Sequence, residues 1–525
     1  MVTRSARAGR RARALRGDGP EWCPVSDPRT RIVIIGGGPG GYEAALVAAQ
    51  LGAQVTIVDR DGLGGACVLT DCVPSKTLIA TSGMMAALDG AAALGLRSDP
   101  LPAAGSEGPG PGGPVLDGPA PDGPCPGLPG PVTATATMTR RHLATVDAPR
   151  LYSRVRALAR AQSADVTARL AAEGVEVVAG AGRLDGPRTV AVGEARITAD
   201  VVLVATGARP RELPGTVPDG ERLLTCRQLY DLPELPPELV VVGSGVTGAE
   251  FASAYQALGS QVTLVSSRDR VLPQEDVDAA VVVEDVFRRR GMTVLSRSRA
   301  VSARRAGDGV EVLLKDGRTV RGSHCLLTVG MVPNTGGIGL EETGIAPDDR
   351  GFIHVDRVSR THAPGVYAAG DCTGVQMLAS VAAMQGRIAM WHALGEAVQP
   401  LRLSHVAATV FTEPEIAVVG VSQQAVTSGA VHARVVKLPL ATNPRAKMQG
   451  FRDGFVKLFA HHSSGIVLGG VVVAPRASEL ILGVSLAVEQ SLTVDQIAHT
   501  FAVYPSLSGS LTEAARRLMQ PAQAD

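Results

Sequence analysis

Aromatic residues are scarce in this 525-residue chain, with Phe, Trp and Tyr together at 3%. Its cores must therefore be built largely from Ala, Val, Leu and Ile. Cysteine is scarce too: seven in all, an odd number, which argues against a secreted disulfide scaffold. There is no excess of either charge. Fifty-one basic residues face 50 acidic ones, a net of +1, so no global field draws the chain to nucleic acid or an anionic membrane. Lysine is nearly absent, five among those 51, and we read the arginine excess as coding bias. No apolar run approaches the ~18 residues of a spanning helix. The first 30 residues carry six arginines by position 16 but lack the apolar stretch of a signal peptide. A disordered extension is expected there; a transit peptide is the other reading of an Arg-rich, acid-poor start. The resulting expectations are a cytoplasmic protein, no integral membrane segment, no nucleic-acid partner and no metal site.

Glycine and proline are abundant, at 61 and 35 residues. Residues 99–131 hold 11 Pro and 9 Gly in 33 positions. Such a stretch cannot pack a core or sustain a helix, so a disordered surface insertion is expected, with Cys125 incidental within it. Elsewhere short apolar runs recur: Arg31–Ile35, Val55–Val58, Val201–Val204, Leu239–Val242 and Val262–Val265. Buried strands bounded by glycine and separated by helical stretches imply parallel α/β sheets. The tail after about residue 403 mixes strands and amphipathic helices and reads as a separate α+β domain.

Gly36-Gly-Gly38-Pro-Gly-Gly41 follows the first strand and opens a helix. This is G-x-G-x-x-G in the context it requires. The first glycine makes the turn, the second admits a pyrophosphate, and the third lets helix and strand pack. Asp59, 23 residues after Gly36, ends the second strand and can accept hydrogen bonds from a ribose diol. The unit recurs as Gly243-Ser244-Gly245-Val-Thr-Gly248, with Ser266 again 23 residues on. Here Ser266, Ser267, Arg268 and Arg270 replace the acid. Serine and arginine can bind a ribose 2′-phosphate that a carboxylate would repel, so this site is expected to take NADPH alongside NADH. Two dinucleotide sites on one chain point to a bound flavin, FAD, and a transient nicotinamide.

Between the fingerprints stands Gly64-Gly65-Ala-Cys67-Val-Leu-Thr-Asp-Cys72-Val-Pro-Ser-Lys76. With it the chain resembles the flavoprotein pyridine nucleotide-disulfide oxidoreductases, from about residue 31 to 520. Val204-Ala-Thr206-Gly207, Tyr367-Ala-Ala-Gly370-Asp371 and Gly330-Met-Val-Pro-Asn334 are similar to three further family segments, with Met331 in place of an arginine. The resemblance implies that Cys67 is the outer, interchange thiol and Cys72 the inner thiol beside the flavin. Lys76 would sit near the flavin N5 and pair with Glu250. It also implies cofactor contacts at Gly65, Gly182, Thr206, Gly207, Gly370, Asp371, Ala379 and Gly330. A cation near N5 would stabilise a reduced flavin, and a buried lysine needs a partner.

The resemblance breaks at one place. The family's disulfide reductases carry a C-terminal H-P-x-x-x-E segment that supplies an acid–base histidine. Here Tyr504 stands at the histidine and Gly509 at the glutamate, with His499 five residues too early. Phenols, with a reference pKa of ~10, are poor bases near neutral pH. Losing a positioned acid–base group typically lowers rates ~100- to 10,000-fold. This combination resembles a bacterial branch described as NAD(P)H-quinone dehydrogenases. The expected activity is hydride transfer from NAD(P)H through FAD to a quinone, with Cys72, Cys67, Lys76, Glu250 and Tyr504 as the candidate catalytic residues. Cys67 departs from that branch, in which the outer cysteine can be absent. Two alternatives stay open: a dihydrolipoamide dehydrogenase-like disulfide reductase using Cys67 and Cys72, and a flavoprotein with mainly a binding role in a complex. The expected fold is α/β, with two Rossmann-like dinucleotide-binding domains plus a C-terminal α+β dimerisation domain. The expected segments are an FAD domain at 31–208, an NAD(P) domain at 209–327, a central segment at 328–402 completing the FAD site, and a homodimer interface at 403–525.

Overall fold

The computed structural model describes residues 30–96 and 144–519. The expected insertion at 99–131, Cys125 within it, and all but the last residue of the expected extension at 1–30 lie outside the described residues. The chain divides into two compact units: residues 1–69, 161–209 and 332–402, and residues 70–160, 210–331 and 403–525.

The first unit is built on a five-stranded parallel sheet. Its order is Val366–Ala368, Val201–Val204, Arg31–Ile35, Gln54–Asp59, Glu176–Ala179. Val366–Ala368, Val201–Val204 and all but the first residue of Arg31–Ile35 are buried on both faces, which explains why they read as unbroken apolar runs, while the edge strand Glu176–Ala179 is largely exposed. Ile32, Ile34, Ile57 and Leu203 pack into one cluster, while Val33, Ile35, Val58, Val202 and Val204 pack into another. The helix Pro39–Gln50 lies against the helix Ala379–Ala393. They meet glycine on glycine: a Cβ on Gly386 would stand 2.0 Å from the Gly40 carbonyl oxygen. A small antiparallel sheet, Gly182–Leu184, Thr189–Val192 and Ala195–Thr198, completes the unit.

The second unit contains a second five-stranded parallel sheet: Thr293–Leu295, Gln261–Val265, Glu238–Val242, His324–Leu327, Leu223–Thr225. The helix Val246–Leu258, buried along most of its length, packs on one face with the helix Val277–Arg289. A three-stranded antiparallel sheet, Ala300–Ala306, Gly309–Leu314 and Thr319–Gly322, covers the other. The tail forms a five-stranded antiparallel sheet ordered Ala408–Val410, Glu415–Gly420, Val467–Ala474, Phe455–His461, Ala433–Pro439. Its helices Ala477–Glu489 and Gly509–Met519 cover one face, and the other joins the core of the second unit's parallel sheet. The architecture is therefore α/β, with two parallel dinucleotide-type sheets and a C-terminal α+β region. No helix among the described residues is long and apolar enough to cross a membrane.

Candidate functional site

In the first unit the candidate FAD residues gather at the carboxyl ends of neighbouring strands, where parallel sheets hold ligands. Gly36 turns at φ +108°, and a Cβ there would meet the Ala205 carbonyl oxygen at 2.3 Å. A Cβ on Gly41 would stand 1.8 Å from the Gly36 carbonyl oxygen, while one on Gly38 would meet nothing within 4 Å. Gly38 caps the helix Pro39–Gln50 with no side-chain hydrogen bond. The first and third glycines are thus forced by packing. The second leaves open space at the positive end of a helix, the cradle a pyrophosphate needs. Gly65 presses on it, since a Cβ there would lie 2.7 Å from the Gly38 Cα.

The Asp59 carboxylate accepts the Gly37 N–H at 2.6 Å and the N–H groups of Asp61 and Gly62 at 2.8 and 2.7 Å. Three backbone donors fix it at the strand end and leave about one acceptor position for a ribose. The Thr206 carbonyl accepts from Asn334 Nδ2 at 3.0 Å, and the Gly370 N–H donates to Gln385 Oε1 at 2.9 Å. Asp371 opens the next turn, and Ala379 begins its helix with no side-chain cap. Gly182 has a packing reason as well: a Cβ there would stand 3.0 Å from Ile35 and 3.2 Å from Val58. Cys67 lies in the short helix Gly65–Leu69, half-buried.

In the second unit, Cys72 and Lys76 lie on the helix Cys72–Gly90, and Glu250 on Val246–Leu258. Lys76 Nζ donates to Glu250 Oε2 at 2.8 Å. The Phe411 N–H donates to Glu250 Oε1 at 2.9 Å, and the Lys76 ammonium stands 4.8 Å from the Phe411 ring centre. Burial pulls the Lys76 pKa down, but the charge and hydrogen bond of Glu250, with Cys72 and Asp71, outweigh it and raise the pKa above the usual lysine value. Lys76 is therefore a held cation and not a proton donor near neutral pH. Burial raises the Asp71 carboxyl beside Cys72, against the pull of Lys76 and Arg227. Sequence reasoning missed Phe411 and Asp71. No motif marks Phe411, but Asp71, at the N-cap next to Cys72, was open to view.

The second fingerprint repeats the first in backbone detail. Gly243 turns at φ +113° with a Cβ position 2.3 Å from the Thr328 carbonyl oxygen. Gly248 would place a Cβ 1.9 Å from the Gly243 carbonyl oxygen, and Gly245, the uncapped N-cap, faces open space. This loop lines a cavity of about 570 Å³ with Ser244, Ser267, Arg268, Gly330 and Met331. Ser266 needs a correction. It is fully buried, and its hydroxyl is shared with Ser244 Oγ at 2.7 Å and the carbonyl oxygens of Arg268 and Arg270. It shapes the loop and does not face the cavity. Arg270 likewise is not on the wall; Ser267 and Arg268 are, joined by Ser298 and Arg299, which the fingerprint could not indicate.

Tyr504 is 80% exposed beside exposed Phe501 and Val503. The Gly509 N–H donates to Ser506 Oγ at 3.1 Å, opening the last helix. His499 turns to its own helix, with Nδ1 2.9 Å from the Asp495 carbonyl oxygen.

Residues 30–386 match the family described as pyridine nucleotide-disulphide oxidoreductase, and residues 406–515 match the dimerisation domain of that family. The chain belongs to this family. It is 54% identical over 504 residues to an NAD(P)H dehydrogenase (quinone) of Mycobacterium tuberculosis, spanning 93% of this chain and 94% of that protein. It is 30% identical over 494 residues to a dihydrolipoyl dehydrogenase of Geobacillus stearothermophilus, spanning 93% and 95%. A crystal structure of LpdA from M. tuberculosis superimposes with a TM-score of 0.82 at 53% identity, covering 94% of this chain and 100% of that one. Membership makes the chain a flavoprotein oxidoreductase, and the glycine cradle of the first unit fits the dinucleotide such an enzyme holds.

Proposed function

We propose that this oxidoreductase transfers hydride from NAD(P)H to FAD and then reduces a quinone, working as a homodimer through residues 403–525. The observation that carries the reading is the pairing of an intact Lys76–Glu250 ion pair with Tyr504 and Gly509, where the disulfide reductases have histidine and glutamate. The first half of the reaction needs a held cation and a cavity for the nicotinamide; the Lys76–Glu250 pair and the cavity beside Gly243–Gly248 support that reading. Reduction of an external disulfide needs a proton for the departing thiolate, and this chain has no imidazole at that position. A quinone takes electrons from a flavin with no thiol relay. The 54% identical relative bears the name of that activity.

Bound FAD would supply the redox chemistry, held by the Gly36–Gly41 loop, Asp59, Thr206, Gly207, Gly370 and Asp371. The remaining roles belong to side chains. Lys76, kept protonated by Glu250, is a held positive charge, the kind of group that stabilises a reduced flavin. The loop Gly243–Gly248 cradles the nicotinamide pyrophosphate, while Ser267 and Arg268 meet its adenosine end. Cys67 stands outside the electron route to a quinone.

One assay panel tests this. Oxidation of NADH and NADPH by purified protein is measured with a naphthoquinone, a benzoquinone, lipoamide and an aryl disulfide. Quinone turnover far above lipoamide turnover is expected; comparable rates would overturn the quinone reading in favour of a disulfide reductase. A flavin bleached by neither nicotinamide would point to the binding role.

A further inference from the structure

Arg268 is the cation that the second fingerprint brings to its cavity, but the wall also carries Arg211, which donates to the Met331 carbonyl at 3.2 Å, and Arg299. The parallel pairing of Gln261–Val265 with Thr293–Leu295 continues past both strand ends: the Ser266 N–H donates to the Leu295 carbonyl at 2.9 Å, the Arg297 N–H to the Arg268 carbonyl at 2.8 Å, and the Ser298 N–H to the Ser266 carbonyl at 2.7 Å. This ties the two loops together and sets Ser298 and Arg299 on the wall with Ser267 and Arg268. The Lys315 N–H donates to the Arg299 carbonyl at 2.8 Å and fixes its backbone. Neighbouring arginines are already neutralised: Arg297 pairs with Asp269 at 2.7 Å, and Arg318 pairs with Asp316 at 2.7 Å. Among the described residues neither Arg268 nor Arg299 has a carboxylate in ion-pair range, and both are exposed. Among the described residues Glu212 is the one acidic residue on the cavity wall, on the segment whose Arg211 N–H donates to the Gly330 carbonyl at 2.9 Å.

We propose that Arg299 is a specificity-determining residue, forming with Arg268 a two-cation clamp for the 2′-phosphate of NADPH; this rests on the reading that the cavity takes NAD(P)H. A 2′-phosphate carries close to two negative charges at neutral pH, and two unpaired guanidinium groups match it by charge and by hydrogen-bond geometry. The buried Ser266 supplies shape to this site, and the two arginines and Ser267 supply recognition.

The test is made on the FAD-loaded enzyme with adenosine 2′,5′-bisphosphate and 5′-AMP as probes, by calorimetry, and with the NADPH/NADH ratio of kcat/KM. In the wild type the bisphosphate is expected to bind more tightly than 5′-AMP. Arg299→Ala should reduce that preference about 10- to 100-fold, the range of a charge-assisted hydrogen bond, and lower the NADPH/NADH ratio in step. Arg299→Lys should restore part of both, and the preference should shrink as salt is raised. If Arg268→Ala removes the preference and Arg299→Ala leaves it intact, the clamp is wrong while the phosphate site stands. If the wild type shows no preference, the NADPH reading of the cavity fails and takes the clamp with it. The binding readout involves no acceptor, so the outcome is separate from the quinone question.

Discussion

Replacing Glu250 by Gln keeps the shape of the pair with Lys76 but removes its negative charge. Glu250 is 4% exposed at the side chain and spends both oxygens on Lys76 and the Phe411 N–H. Removing one member of a buried pair typically costs ~3–5 kcal/mol. Lys76 keeps 32% of its side chain in solvent, so water takes up part of the loss and about 2 kcal/mol is expected. The sign with pH is distinctive. In the wild type the Lys76 pKa is raised, so its stabilisation is complete below the unfolded value of ~10.4 and is lost only as pH rises through the folded value above it. In Glu250→Gln, burial is no longer outweighed by the carboxylate and the folded pKa drops below ~10.4. The unfolded state then binds more protons than the folded one, so the variant regains stability as pH rises from 7 toward 10, by up to ~1.4 kcal/mol per unit. Urea midpoints of both proteins at pH 7, 8, 9 and 10 read this directly. A deficit that stays constant across that range, or no deficit at pH 7, would refute the account of Lys76 as a cation held by Glu250.

Gly386→Ala should destabilise the first unit by more than about 2 kcal/mol and weaken FAD retention, because its Cβ would fall 2.0 Å from a backbone oxygen that cannot yield; a melting temperature unchanged from wild type would contradict the helix contact. Lys457→Met should cost about 3–5 kcal/mol, since Lys457 is 1% exposed and meets both Asp276 oxygens at 2.9 and 2.8 Å. The lost stability should be visible in urea titrations at neutral pH. Burial raises the Asp278 pKa, but Lys457 and Lys437 outweigh this and hold it low, so its contribution is present above the unfolded value of ~3.9 and lost as pH falls through the folded one. Acid titration of the wild type should show that loss, and Lys457→Met should show less of it. Cys67→Ser should leave NADPH–naphthoquinone turnover within about twofold, an outcome checked by steady-state rates; a collapse would place the thiol on the electron route.

The two glycine-rich loops were legible from glycine spacing because the constraint is local. Gly36 and Gly41, like Gly243 and Gly248, are forced by backbone atoms a few residues away or at the end of the adjoining strand. The parallel sheets were legible from their apolar runs, since strands buried on both faces carry no alternation. The ion pair joins residues 174 apart and was reached through family resemblance, not spacing. Spacing also located the end of the strand at Ser266, but not which of the next side chains faces the cavity. The chain leaves its pleat there, and a hydrogen bond to Ser244 turns that hydroxyl inward.

The sequence by itself thus determined the chemistry the backbone can hold: two glycine cradles, the lysine–cysteine segment, and the tyrosine and glycine where a histidine and glutamate would stand. Tertiary structure decided which side chains share a wall. Arg299 reaches the rim beside Arg268 through the register of Thr293–Leu295 on Gln261–Val265, and Phe411 reaches Glu250 from a distant strand end. The physical reason is the same for both. Hydrogen-bond register and packing across long sequence separations set these contacts, and no local pattern of residues encodes them.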